Sequence, residues 1–98
     1  MNDLNSLLIE GVTINEPVLR DDACQFTISV THTSHRGVKT VMSLEVVLKG
    51  LLGRNTYEYL GKSHAVRIVG RLALKDKKIV VEGEHIEMRP KRKEERVA

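Results

Sequence analysis

Along most of this chain, apolar and polar residues alternate with a period of two, the signature of strands that turn one face to a core. In "ACQFTISVTH", Cys24, Phe26, Ile28 and Val30 share one parity, while Gln25, Thr27, Ser29 and Thr31 take the other. "VMSLEVVLKG" repeats the device, with Met42, Leu44, Val46 and Leu48 expected inward and Ser43, Glu45, Val47 and Lys49 outward. "HAVRIVGRLALK" places Val66, Ile68, Leu72 and Leu74 inside and Arg67, Arg71 and Lys75 outside. Two more strands frame these, Leu4 to about Ile14 at the front and Lys78 to about Met88 at the back, the latter reached through a tight turn at Lys75-Asp76-Lys77-Lys78.

Only "LLGRNTYEYLG" breaks the alternation. Asn55 or Thr56 is expected to cap a helix of two turns at most, with Leu52, Tyr59 and Leu60 on its apolar side and Gly61 at its end. The predicted order is β-β-β-α-β-β. Glycines 11, 50, 70 and 83 fall within or at the ends of strands, where a missing side chain permits the coiling that closes a small barrel. The expected fold is all-β, a five-stranded Greek-key barrel of the OB type with one short helix between strands 3 and 4. Residues 1–90 form this single domain, and residues 91–98 are expected to be a basic, flexible tail.

Composition adds a location to the charge. Sixteen bases against 13 acids give a net charge of only +3, but residues 1–22 carry one base and five acids, whereas residues 33–81 carry ten bases and three acids. A regional field of this kind attracts a polyanion or an acidic surface. The single cysteine excludes an internal disulfide, and its place in the alternation makes Cys24 a buried thiol in a reducing compartment. No apolar run approaches membrane-spanning length and the N-terminus lacks the order of a signal peptide, so a cytoplasmic protein without a membrane partner is expected. His32, His35, His64 and His85 are dispersed, no metal or cofactor is implied, and no nucleophile, base and orienting acid assemble into a catalytic set.

The chain resembles the bacterial single-stranded DNA-binding proteins along nearly its whole length. The likeness rests on "NSLLIEG" at 5–11, "EPVLR" at 16–20, "CQFTISV" at 24–30, "EVVLKG" at 45–50, "EYLGK" at 58–62, "VRIVGRL" at 66–72 and "EHIEMRP" at 84–90. The resemblance implies a non-enzymatic homo-oligomer, dimer or tetramer, that holds unpaired DNA during replication, recombination or repair at the nucleoid. It also places a subunit contact at the first strand, where "LNSLLIEGVTI" is apolar on both parities.

Two departures limit what the resemblance implies. Proteins that hold single strands without sequence preference pair a basic groove with aromatic stacking platforms, each worth about 1–3 kcal/mol. Here Lys49 and Ser43 stand where the family usually has aromatics, and the short turn between the last two strands has none. Three lost platforms remove on the order of 3–9 kcal/mol. The chain also ends in "RPKRKEERVA" rather than the family's acidic tip. Phosphate contact is therefore assigned to Arg36, Lys39, Lys49, Arg67, Arg71, Lys75, Lys77 and Lys78, with Lys62 carried over from the family's hinge. The expected ligand is single-stranded DNA, bound largely by charge and without sequence preference. The alternative is a module like the primosomal replication proteins, which bridges other replication proteins with weak or no DNA binding.

Overall fold

The computed structural model describes residues 3–89; the tail expected at 91–98 lies outside them. The elements are β1 (Leu7–Thr13), β2 (Val18–Arg20), β3 (Ala23–Thr33), β4 (Lys39–Lys49), α1 (Gly50–Tyr59), β5 (Ala65–Lys75) and β6 (Lys78–Met88). Strand order is β1-β5-β6-β4-β3-β2, and a further β1–β3 pairing closes the five long strands into a barrel. All pairs are antiparallel except β4 with β6, which run parallel through Val46↔Val81 and Val47↔Glu82. With the helix between the third and fourth long strands, this is the expected OB barrel; the three-residue β2 is an addition on the outer edge of β3.

The alternation read from the sequence builds the core. Cys24, Phe26, Ile28, Val46, Leu48, Leu60, Val66, Ile68 and Val81 are buried together. Burial at Cys24 pushes its thiol pKa up to about 11, as desolvation of a would-be thiolate requires. At one end of the barrel Thr13 ties β1 to the segment that leads into β5. Its hydroxyl donates to the Gly61 carbonyl (2.6 Å) and accepts from the His64 N–H (2.9 Å), while His64 Nδ1 accepts from the Gly61 N–H (2.8 Å). This gives His64 a structural task.

Three local expectations are corrected. The helix starts at Gly50, directly from the β4 end, and spans ten residues, so Asn55 and Thr56 lie inside it; Thr56 is buried and Gly50 takes the positive φ (64°) that turns the chain. On the side expected to be apolar, Leu60 is buried but Tyr59 is exposed, as is Tyr57. The first strand begins at Leu7, leaving Leu4 almost fully exposed.

The largest correction concerns which side chains face inward where hairpins leave the barrel. Met42 is half exposed, in the outer half of the β3–β4 hairpin where Lys39 to Ser43 are exposed on both parities. Leu72 and Leu74, expected inside, are 46% and 76% exposed. The cause lies at Gly70. Pairing steps from Val69↔His85 to Gly70↔Gly83, which leaves Glu84 as the extra residue of a β-bulge. A Cβ at Gly70 would meet the Glu82 backbone carbonyl at 2.2 Å, so the bend demands glycine there, and one at Gly83 would crowd the buried Leu48 side chain at 2.3 Å. Beyond it the β5–β6 hairpin leans over the outer face of β3 and β4. Ala73 and Val80 then pack on Ala23 and Val47, forming a second small apolar cluster, while Leu74 and Ile79 face outward.

Candidate nucleic-acid interface

The outer face of β3 and β4 is a ladder of side-by-side pairs: Ala23↔Lys49, Gln25↔Val47, Thr27↔Glu45, Ser29↔Ser43, Thr31↔Val41 and Thr33↔Lys39. At the Lys49 end, the leaning hairpin turns this face into a cleft of about 400 Å3. Its floor is aliphatic, from Ala23, Val47, Val80 and Ala73. Arg20, Gln25, Lys49, Lys75 and Glu82 supply polar groups around it. A second hollow of about 160 Å3 adjoins the first, lined by Asn15, Thr27 and Glu45 among others, and Arg20 and Gln25 border both.

Two turns set the rims. Asp21 and Asp22 both adopt positive φ (53° and 59°), giving the two-residue hairpin that folds β2 against β3 and brings Arg20 to the cleft. Asp76 and Lys77 do the same (52° and 68°) at the tip of the β5–β6 hairpin, the tight turn expected from the sequence.

Lys49 and Lys75 at the cleft, and Arg71 beside it, are held by carboxylates. Lys49 Nζ lies 3.5 Å from Glu82 Oε2, and Arg71 Nη2 donates to Glu82 Oε1 at 3.0 Å. Lys75 Nζ donates to Gln25 Oε1 (2.8 Å) and Glu45 Oε2 (3.2 Å). The lining itself balances Arg20, Lys49 and Lys75 against Asp21, Asp22 and Glu82. It is a mixed-charge cleft with an apolar floor rather than a purely basic groove. Among the described residues Arg20 makes no ion pair, whereas its neighbour Asp22 is paired with Arg54.

Of the nine cations singled out in the sequence, the structure thus brings Lys49, Arg71 and Lys75 together. Lys77 and Lys78 sit at the nearby hairpin tip. Lys39 shares the outer face but is ten residues from Lys49, about 33 Å along the strand, and Arg36 is in the turn beyond it. Lys62 lies in the segment before β5, at the opposite end of that strand from Lys75. Arg67 is eight residues, about 26 Å, from Lys75 and belongs to a separate network. Its Nε donates to Glu10 Oε2 (2.7 Å), Glu87 lies 3.7 Å from it, and Arg89 reaches Glu10 at 3.6 Å. The Arg67 hydrogen bond and charge, helped by Arg89, hold the Glu10 carboxyl below its ordinary pKa.

Arg20, Gln25 and Glu82 escaped the sequence reading. Consecutive aspartates after Arg20 were the available cue to a tight turn that would aim it; nothing local marks Gln25 or Glu82, because a distant hairpin makes their surroundings. Among the described residues, no group of three histidine, cysteine, aspartate or glutamate side chains comes together to hold a metal ion.

No family model matches the chain, and no curated protein matches it by sequence. Among the solved structures it resembles is the crystal structure of a small single-stranded DNA-binding protein from Streptomyces coelicolor. That protein is 20% identical, and the alignment covers 95% of this chain and 98% of the other with a TM-score of 0.77. At this identity the likeness establishes architecture, and with the barrel closure and helix position described above the chain is an OB-fold protein along essentially its full described length.

Proposed function

We propose that this protein binds single-stranded DNA across the outer face of β3 and β4, without catalysing a reaction. The observation that carries the reading is the cleft: Arg20, Lys49 and Lys75, from three different strands, surround an aliphatic floor on the face that OB folds commonly use for oligonucleotides. Arg20, Lys49 and Lys75 supply charge at the cleft. Lys77 and Lys78 extend it along the hairpin tip, and Lys39 and Arg36 mark the far end of the same face. Arg71 acts through Glu82, and Arg67 and Lys62 lie away from the path. Bases meet the aliphatic floor in place of aromatic rings, so affinity is modest and leans on phosphate neutralisation. The likeness to a single-stranded DNA-binding protein supports the same ligand.

On this reading the protein serves replication, recombination or repair at the nucleoid, in the cytoplasm. No described helix is long and apolar enough to cross a membrane. Self-association is part of the proposal, since Leu8, Val12 and Val69 are exposed on the outer face of β1 and β5.

The test is an anisotropy titration of labelled dT15 at about 50 and 200 mM salt. Arg20, Lys77 and Lys78, which make no ion pair among the described residues, would supply three phosphate contacts and predict a log–log slope near −2, at roughly 0.7 per contact. A second reading, a bridging module for replication proteins, is favoured by the pairing of Lys49, Arg71 and Lys75 with carboxylates and by the exposed Leu72, Leu74 and Ile79 on the hairpin. No saturable binding at the lower salt would leave that reading in place of the first.

A further inference from the structure

We propose that the Glu82 carboxylate makes the cleft select guanine among the bases, with Glu82 as the specificity residue and Lys49 as its companion. The inference rests on the reading of the cleft as the DNA site. A floor of Ala23, Val47, Ala73 and Val80 suits the flat face of a neutral ring rather than a phosphate, and about 400 Å3 lies within the usual range of clefts that hold small molecules.

What such a ring meets at its edge is fixed by the ion pairs. Glu82 is only 18% exposed at its side chain and lines the cleft. Arg71, which does not line the cleft, donates to Oε1 at 3.0 Å and so orients the carboxylate from behind. Lys49 Nζ stands 3.5 Å from Oε2 on the cleft side. A carboxylate has about four acceptor positions. Arg71 and Lys49 occupy one on each oxygen, so each oxygen retains acceptor capacity, and the Lys49 ammonium retains donors.

Two adjacent acceptors beside a cationic donor call for two adjacent N–H donors beside a carbonyl. Guanine presents O6, N1–H and N2–H in that order along one edge. Thymine places one N–H between two carbonyls, so a carboxylate oxygen would oppose a carbonyl oxygen. Cytosine and adenine set their amino group beside a bare ring nitrogen and offer one donor toward the pair. A base that covers the remaining acceptor positions of Glu82 without offering matching donors is penalised, as the right contacts favour guanine.

The test compares three labelled 15-mers of equal charge: dT15, the same strand with one central dG, and the same with one central deoxyinosine, which lacks N2–H. The dG strand is expected to bind about tenfold tighter than dT15, within the discrimination a bidentate contact supplies. Inosine should return most of that gain. Glu82→Gln, checked for folding by its unfolding temperature, should bind all three within about twofold of one another. Equal binding of the three strands by the unaltered protein, or a dG preference that survives Glu82→Gln, overturns the selection and leaves the DNA-binding reading standing. Failure of all three strands to bind overturns both.

Discussion

Lys75 Nζ joins the β5–β6 hairpin to the outer face of the barrel through Glu45, 3.2 Å away on β4, with Gln25 on β3 accepting a second hydrogen bond at 2.8 Å. Both charged side chains remain about one-third exposed, so the pair works as a latch on the cleft and adds little to global stability. Lys75→Ala should therefore cost less than about 1 kcal/mol in unfolding free energy, a Tm change of at most several degrees. Amide exchange at Ile79 and Val80 should quicken and dT15 affinity should fall. Unchanged exchange there would mean that the hairpin is held by Ala73 and Val80 alone.

Arg67 looked like a DNA contact because it shares parity with Arg71 and Lys75, yet Glu10 and Glu87 already hold it. Arg67→Ala should leave dT15 affinity within about twofold, since the residue lies about 26 Å from the cleft cation on its strand. The same substitution has a clear titration signature. Glu10 has a lowered pKa in the folded protein, so its stabilising contribution is full above the ordinary value of 4.5 and is lost as pH falls through the lowered one. Carbon-detected NMR titration should find Glu10 below 4.5 in the unaltered protein and closer to it in Arg67→Ala. A Glu10 titration that ignores the substitution would contradict the network.

The bulge makes a stability prediction. Gly70→Ala drives a Cβ into the Glu82 carbonyl and the Gly83 Cα, both backbone atoms that cannot swing aside. Destabilisation of about 3 kcal/mol is expected, the upper end for overpacking, with Tm falling by more than about 10 °C. Gly61→Ala is the control: its Cβ meets nothing closer than 3.8 Å, and Tm should hold within a few degrees.

Cys24 should resist thiol reagents until the barrel opens. A pKa of about 11 against the usual 9.0 lowers the thiolate fraction near pH 8 by about a hundredfold, and complete burial removes access as well. Labelling by a maleimide should be negligible in buffer and complete in denaturant. Rapid labelling of folded protein would contradict the packing of β3.

Local alternation was enough to identify the barrel, because period-two patterning records which face of each strand is buried wherever that strand lies in the wall. Cys24, Phe26, Ile28, Val46 and Leu48 all follow it. The cleft was less legible, for a reason visible in two pairs of residues. Leu74 and Ala73 exchange their expected burial, and Val47 is covered although it points outward, because one extra residue at Glu84 tips a hairpin over the face. A bulge is a property of two strands in register, and neither strand's pattern contains it. The ion pairs follow the same logic. The count of bases in the sequence suggested an open cationic surface, but Glu45 and Glu82 reach Lys75, Lys49 and Arg71 from other strands. Arg20 was overlooked because its strand is only three residues long and pairs along the barrel's edge.

The most direct measurement is dT15 anisotropy at low salt for the unaltered protein, Arg67→Ala and the double variant Arg20→Glu/Lys49→Glu, all shown to be folded. Saturable binding by the first two, weakened at least tenfold in the double variant, is the predicted result. Equal binding by the double variant, or none by the unaltered protein, would contradict the assignment of this cleft to single-stranded DNA.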